Sequence, residues 1–253
     1  MRIFLKTEDE IILLRAASQL ATCALIEVGR HVVPRLALSH LRNKVVNAVM
    51  RTVPTESNSG KEALSSDTEF TFFVNGAYIE PSLEGECMLC EGDWLTVNCW
   101  VCLNGYYSFG AHTFIVGSSQ DDEPLTSTLR DMLRQVARRA SAGHSIKEMS
   151  RTVYSLHSHD PYVLQKTFGH GVGRNRVENP ILRMNPGVND TVLLKEGMCL
   201  VIALAFKHGR SHFIKPRLMH ESTFHNPFVP FGTTVVVRPG RPEILTSFET
   251  IVN

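Results

Sequence analysis

The sequence of 253 residues contains no run of 18 or more apolar residues, so no segment reads as a bilayer-spanning helix. It also lacks an excess of charge of either sign. Lys and Arg number 26 against 25 Asp and Glu, which argues against a surface devoted to nucleic acid or an anionic membrane. The first residues turn acidic at Glu8-Asp9-Glu10 before any apolar stretch develops, so no signal peptide is expected and a cytoplasmic location is. Carboxylates are missing where strands are expected: none lies between Trp94 and Gln120, between Gly197 and Phe206, or between Phe231 and Pro242. Hard and borderline metal ions need oxygen ligands on rigid elements, and two close dications without neutralising carboxylates repel strongly. No metal site is therefore expected on these strands.

What is present describes a folded chain. At ~150 residues per domain the length suits one large or two small domains with a substantial core. Six cysteines occur, four of them as the pairs Cys87/Cys90 and Cys99/Cys102. Their spacing raises a four-thiolate zinc site as one reading. Cys99 and Cys102 lie in a strand-like stretch, however, where residues three apart face opposite ways. Buried free thiols are the favoured reading.

Thr7 followed by Glu10 forms a capping box, and Ile11, Leu14, Ala17, Leu20 and Ala21 continue at helical spacing to about Val28, where Gly29 should end the helix. A second helix is expected over roughly 37–51, then a polar loop over 54–67. Strands are expected over 70–74, 94–102 and 106–116, the last two joined at Asn104-Gly105, a strong hairpin signal. A polar linker over 117–123 precedes helices over 125–140 and 146–156 and strands over 191–194, 199–206 and 233–237. Helix, helix, strands thus occurs twice. One α+β domain over 1–253 with two similar halves, about 1–117 and 124–253, is the expected architecture.

Several segments carry a family resemblance. Glu91-Gly92-Asp93-Trp94-Leu95-Thr96-Val97-Asn98, Asn104-Gly105-Tyr106-Tyr107 and Phe114-Ile115-Val116-Gly117 resemble the central hairpin of methionine aminopeptidases. Gly169-His170-Gly171-Val172-Gly173-Arg174 with Glu178-Asn179-Pro180, Leu194-Lys195-Glu196-Gly197-Met198 and the Val235–Leu245 stretch follow in that family's order. The resemblance implies the pita-bread fold of methionine aminopeptidases and creatinase, two pseudo-symmetric halves around a curved antiparallel sheet. It also implies two divalent metals held by two Asp, one His and two Glu. Those five positions carry over to Asn98, Phe109, His170, Ala203 and Gly232, so only the histidine is kept. Val177 falls where the peptidases carry a second, substrate-facing histidine. Creatinase, a metal-free relative, resembles the chain at Asn98 and Gly105-Tyr106-Tyr107. Its catalytic histidine lies in a segment similar to Gly76-Ala77-Tyr78, which nominates Tyr78 as a proton donor. Its supporting glutamates would fall at Ala111 and Ala203, so creatine-type chemistry is not supported.

From these residues, the expected activity is that of a metal-independent, cofactor-free small-molecule enzyme: a hydrolase, lyase, isomerase or cyclase working by proton transfer. His170 would be the acid–base group, Asn98 a hydrogen-bonding orienter, and Trp100 with Phe109 an apolar wall. Val177, Ala203 and Gly232 would complete the substrate-binding surface. A small-molecule partner is expected, with no membrane or nucleic acid, and a homodimer is possible. The alternative is a non-catalytic pseudoenzyme that binds a peptide or protein. Weaker signals are His157-Ser158-His159-Asp160, the basic face Arg130/Arg134/Arg138 beside Arg139, and the cluster His208, Arg210, His212 and Lys215.

Overall fold

The Thr7 capping box forms as expected and starts α1 (Glu8–His31): Glu10 N–H donates to Thr7 Oγ1 at 3.3 Å, and Thr7 N–H donates to a Glu10 carboxylate oxygen at 3.0 Å. Gly29 does not end this helix, which runs on through Arg30 and His31 until Val32 N–H donates to the Val28 carbonyl at 2.8 Å; the Arg30 cation suits the negative end of the helix dipole. In this computed structural model the residues described are 2–53, 64–117, 124–157, 163–164, 167–185, 192–207 and 228–247. By length and composition α1 could cross a bilayer; here its stripe from Ile11 to Val28 is buried as a core helix. α2 (Leu38–Thr52) packs against it, and α3 (Pro124–Arg138) and α4 (Ile146–His157) open the second half.

The strands are β1 (Glu69–Val74), β2 (Ala77–Ile79), β3 (Trp94–Leu103), β4 (Tyr106–Ile115), β5 (Val163–Leu164), β6 (Thr167–Gly171), β7 (Glu178–Arg183), β8 (Cys199–Lys207), β9 (Phe228–Val236) and β10 (Glu243–Ile244). They form one antiparallel sheet in the order β2-β1-β3-β4-β9-β8-β6-β7, with β10 beside β9 and β5 beside β8. The β3–β4 hairpin turns at Asn104-Gly105, where both residues adopt positive φ, 50° and 75°. Leu95, Val97, Cys99, Val101 and Leu103 enter the main core beneath the helices, while α1 lies on β3 and β4 and α3 on β8 and β9. Alternate residues of the same strands face the opposite, concave side.

One expectation is corrected: residues 191–194 do not make a strand among the described residues, and Leu193 makes a single bridge to Ser145. The Gly-rich segment around His170, for which the periodicity predicts no element, is strand β6, wedged between β7 and β8. A Cβ at Gly171 would meet the Asn179 carbonyl oxygen at 2.3 Å, so the absent side chain is what lets these backbones close together. The cysteines form no disulfide: Cys99 lies in the helix-side core, Cys102 faces the other way and Cys87 is buried, whereas Cys90, expected among the buried thiols, is exposed. Burial pushes the Cys87 thiol up to about 11.

Candidate functional site

Residues directly opposite in an antiparallel ladder share a face. Asn98 pairs with Ala111, Ala111 with Gly232, and Gly232 with Ala203, so one row crosses β3, β4, β9 and β8 on the concave side. Beside it run Trp100 paired with Phe109, and Thr234 paired with Val201, itself opposite His170. Trp100 and His170 stand four strand spacings apart in the sheet order, about 19 Å on a flat sheet. Their rings nevertheless lie 6.1 Å apart and almost parallel, at 9°. Curvature of the sheet brings the two halves together here and makes the cleft.

Phe109 fills much of that cleft. Its ring sits 4.7 Å from the Trp100 ring, and a Cβ at Gly232 would fall 2.4 Å from Phe109 Cε1 and 3.3 Å from Ala203 Cβ. The two small residues are therefore the receptacle for the large one. Thr234 holds the phenylalanine in place: its hydroxyl accepts from Phe109 N–H and donates to Phe109 O, both at 2.9 Å. These bonds stand in for ladder bonds at a seam where β4 and β9 share one bridged pair, Ala111–Gly232. Thr234 was not singled out in the sequence, although a hydroxyl within an apolar strand is a signal that a backbone partner is needed.

His170 keeps one nitrogen available. Its Nδ1–H donates to the Gly171 carbonyl at 2.8 Å, and since a carbonyl only accepts, the neutral ring carries its lone pair on Nε2. Burial lowers the pKa of His170, with the Gly171 bond opposing that shift, so the neutral form is favoured. Asn98 Oδ1 is buried with no hydrogen-bond partner among the described residues.

Among the described residues, charge lies around the edges of this cleft rather than on its central rows. The Arg176 guanidinium lies 5.7 Å from the ring centres of both Trp100 and Tyr107 and donates to Glu69 at 2.8 Å. Tyr107 O–H donates to Asp67 at 2.6 Å, Arg174 stands 3.8 Å from Glu10, and Lys6 pairs with Glu178 in a nearly buried ion pair. Val177, between Arg176 and Glu178, is 58% exposed.

The residues at the five positions do not fit a pair of divalent ions. Asn98 and His170 are the only groups among the five that can donate a lone pair to a metal, neither carries negative charge, and the Phe109 ring occupies the space against Gly232 and Ala203. Elsewhere too, no group of three or more His, Cys, Asp or Glu able to hold a metal ion occurs among the described residues.

Other expected site residues fall apart from the cleft. Tyr78 lies on the edge strand β2, 44% exposed, with its ring 5.6 Å from Phe73; the structure does not bring it to His170. It instead lines a separate cavity of about 330 Å³ with Arg42, Phe70 and Thr71. On α3, Arg134 pairs with Asp131 at 3.0 Å. His159 and Asp160 of the His157–Asp160 cluster, and His208, Arg210, His212 and Lys215, lie outside the described residues.

The family model described as metallopeptidase family M24 matches residues 12–239. A methionine aminopeptidase of Borreliella burgdorferi is 26% identical over 97% of this chain and 98% of its own, and one of Bacillus subtilis is 24% identical over 84% and 85%. The crystal structure of methionine aminopeptidase from Thermotoga maritima superposes with a TM-score of 0.78 at 21% identity, covering 97% of this chain and all of that one. Prolidase from Pyrococcus furiosus gives 0.71 at 18% identity over 96% of this chain and 65% of its own. The fold is thus the pita-bread fold. These matches correct the expected small-molecule enzyme and, with it, the non-catalytic alternative: relatives aligned along nearly the whole chain are named as peptidases, which supports a peptidase function instead. With more than four-fifths of its length matched by that model, the chain belongs to metallopeptidase family M24.

Proposed function

We propose that the chain is a peptidase that takes the end of a peptide into the cleft between its two halves, with His170 as the proton-transfer group. The observation that carries this reading is the convergence of His170, its Nε2 lone pair left available, with Trp100 and Phe109 where the two halves meet in a peptidase fold. Trp100 and Phe109 would take an apolar side chain of the peptide, and Val177 would meet it at the rim. Asn98 would hydrogen-bond the peptide amide. His170 Nε2 would accept a proton from the attacking water and return it to the leaving nitrogen. A general base and acid so placed contributes about 10²–10⁴ in rate. No step runs through paired metal ions, because the residues do not fit them, and the activity is accordingly expected to withstand a chelator.

The test is a panel of methionyl peptides, with free and with N-acylated ends, incubated with the purified chain and followed by mass spectrometry with chelator or with added Mn²⁺. Cleavage that survives the chelator and falls about 10²–10⁴-fold in His170→Ala, in a variant that still folds, is the expected result. Absence of any cleavage across the panel, with and without metal, would refute the peptidase reading.

A further inference from the structure

We infer that the cleft accepts a peptide end that carries no positive charge, an N-acylated terminus rather than a free ammonium. This rests on the peptide reading above and narrows it. The concave rows of β3, β4, β6, β8 and β9 present no carboxylate among the described residues: the polar groups there include the Asn98 carboxamide, the His170 ring, the Trp100 indole N–H and strand hydroxyls, none of them anionic. The rim carboxylates are each engaged, Glu69 by Arg176, Asp67 by Tyr107, Glu178 by Lys6 and Glu10 by Tyr106. An ammonium drawn into such a site would lose water without meeting a counter-charge, which is strongly unfavourable.

A neutral amide meets the opposite circumstances. Asn98 Oδ1 is buried without a partner, and an acylated terminus offers the N–H donor that satisfies it. His170 Nε2 accepts as well. Arg176, stretched across the Trp100 ring at the entrance, repels a cation and can donate to an acyl oxygen. Asn98 Oδ1 and His170 Nε2 can accept from either terminus and the apolar surface of Trp100 and Phe109 discriminates little, so the choice falls to the missing counter-charge and to Arg176.

The test is calorimetric titration of the intact chain with N-acetyl-Met-Ala-Ser amide and with the same peptide bearing a free amine. At about pH 6.5 the amine is charged, since α-amino groups titrate near 7.7–8.0. The acetylated peptide is expected to bind at least about tenfold more tightly, and the gap should narrow by about pH 9 as the amine loses its proton. Equal or tighter binding of the charged peptide overturns this inference and leaves the peptide reading standing. Binding of neither peptide overturns both. In Arg176→Ala, which releases Glu69 from its partner, the gap should shrink; a gap unchanged in that variant also overturns the inference.

Discussion

The two walls of the cleft are built on opposite plans. The wall from the first half carries bulk, with Trp100 and Phe109 on β3 and β4 beside the Asn98 carboxamide. The wall from the second half carries almost none, with Ala203 and Gly232 on β8 and β9, and supplies the titratable group, His170 on β6. Neither wall makes a site alone. The Phe109 ring packs where a side chain at 232 would otherwise stand, so the volume removed from one half is occupied by the other. The space at this seam is matched to an aromatic ring, and His170 beside it is held in one tautomer with its lone pair on Nε2.

Removing the bulk should break the match most severely. Phe109→Ala empties a buried ring site and is expected to cost about 3–5 kcal/mol, read from urea unfolding. A loss below about 1 kcal/mol would mean that the ring does not pack as described.

A second contrast separates the two faces of the same sheet. His112, on the helix side, is fully buried between Phe114 and Phe231, at 4.5 and 4.7 Å, whereas His170 opens to the cleft. Burial, reinforced by the Arg130 charge, depresses the His112 pKa from 6.5 to about 3. The unfolded chain therefore binds this proton more readily than the folded one. The stabilisation is complete above about pH 6.5 and is lost as pH falls towards 3, by a few kcal/mol in total. Equilibrium unfolding between pH 7 and 4 should show the decline, and His112→Leu should flatten it.

Adding bulk to the small wall sharpens the comparison at lower cost. Gly232→Ala pushes on the Phe109 ring and is expected to lose about 1–3 kcal/mol. In the Phe109→Ala background the same change should cost less, with a coupling of about 0.5–3 kcal/mol in the double-mutant cycle. Additive losses would show that the two residues do not share one space.

Local chemistry made much of this legible before the structure. The Thr7–Glu10 box, the Asn104-Gly105 turn and the alternation along Trp94–Leu103 each act within a few residues, and each appears where expected. Alternation by itself keeps Asn98 with Trp100 and Phe109 with Ala111, and the register of the hairpin joins the two pairs on one face. What escaped depends on contacts distant in the chain. The strand character of Thr167–Gly171 comes from two neighbouring backbones that glycine admits, not from β-forming side chains. Tyr78 looked plausible by local resemblance, yet the order of strands puts it at an edge. The Arg176–Glu69 and Lys6–Glu178 pairs join residues more than a hundred positions apart, beyond any periodic pattern.

The most direct measurement is a crystal structure of the protein soaked with an N-acetylated methionyl peptide and millimolar Mn²⁺. The expected result is a peptide end lying against Trp100 and Phe109, its amide at Asn98 and His170, with no ions among positions 98, 109, 170, 203 and 232. A peptide bound elsewhere, or two metal ions seated at those positions, would contradict it.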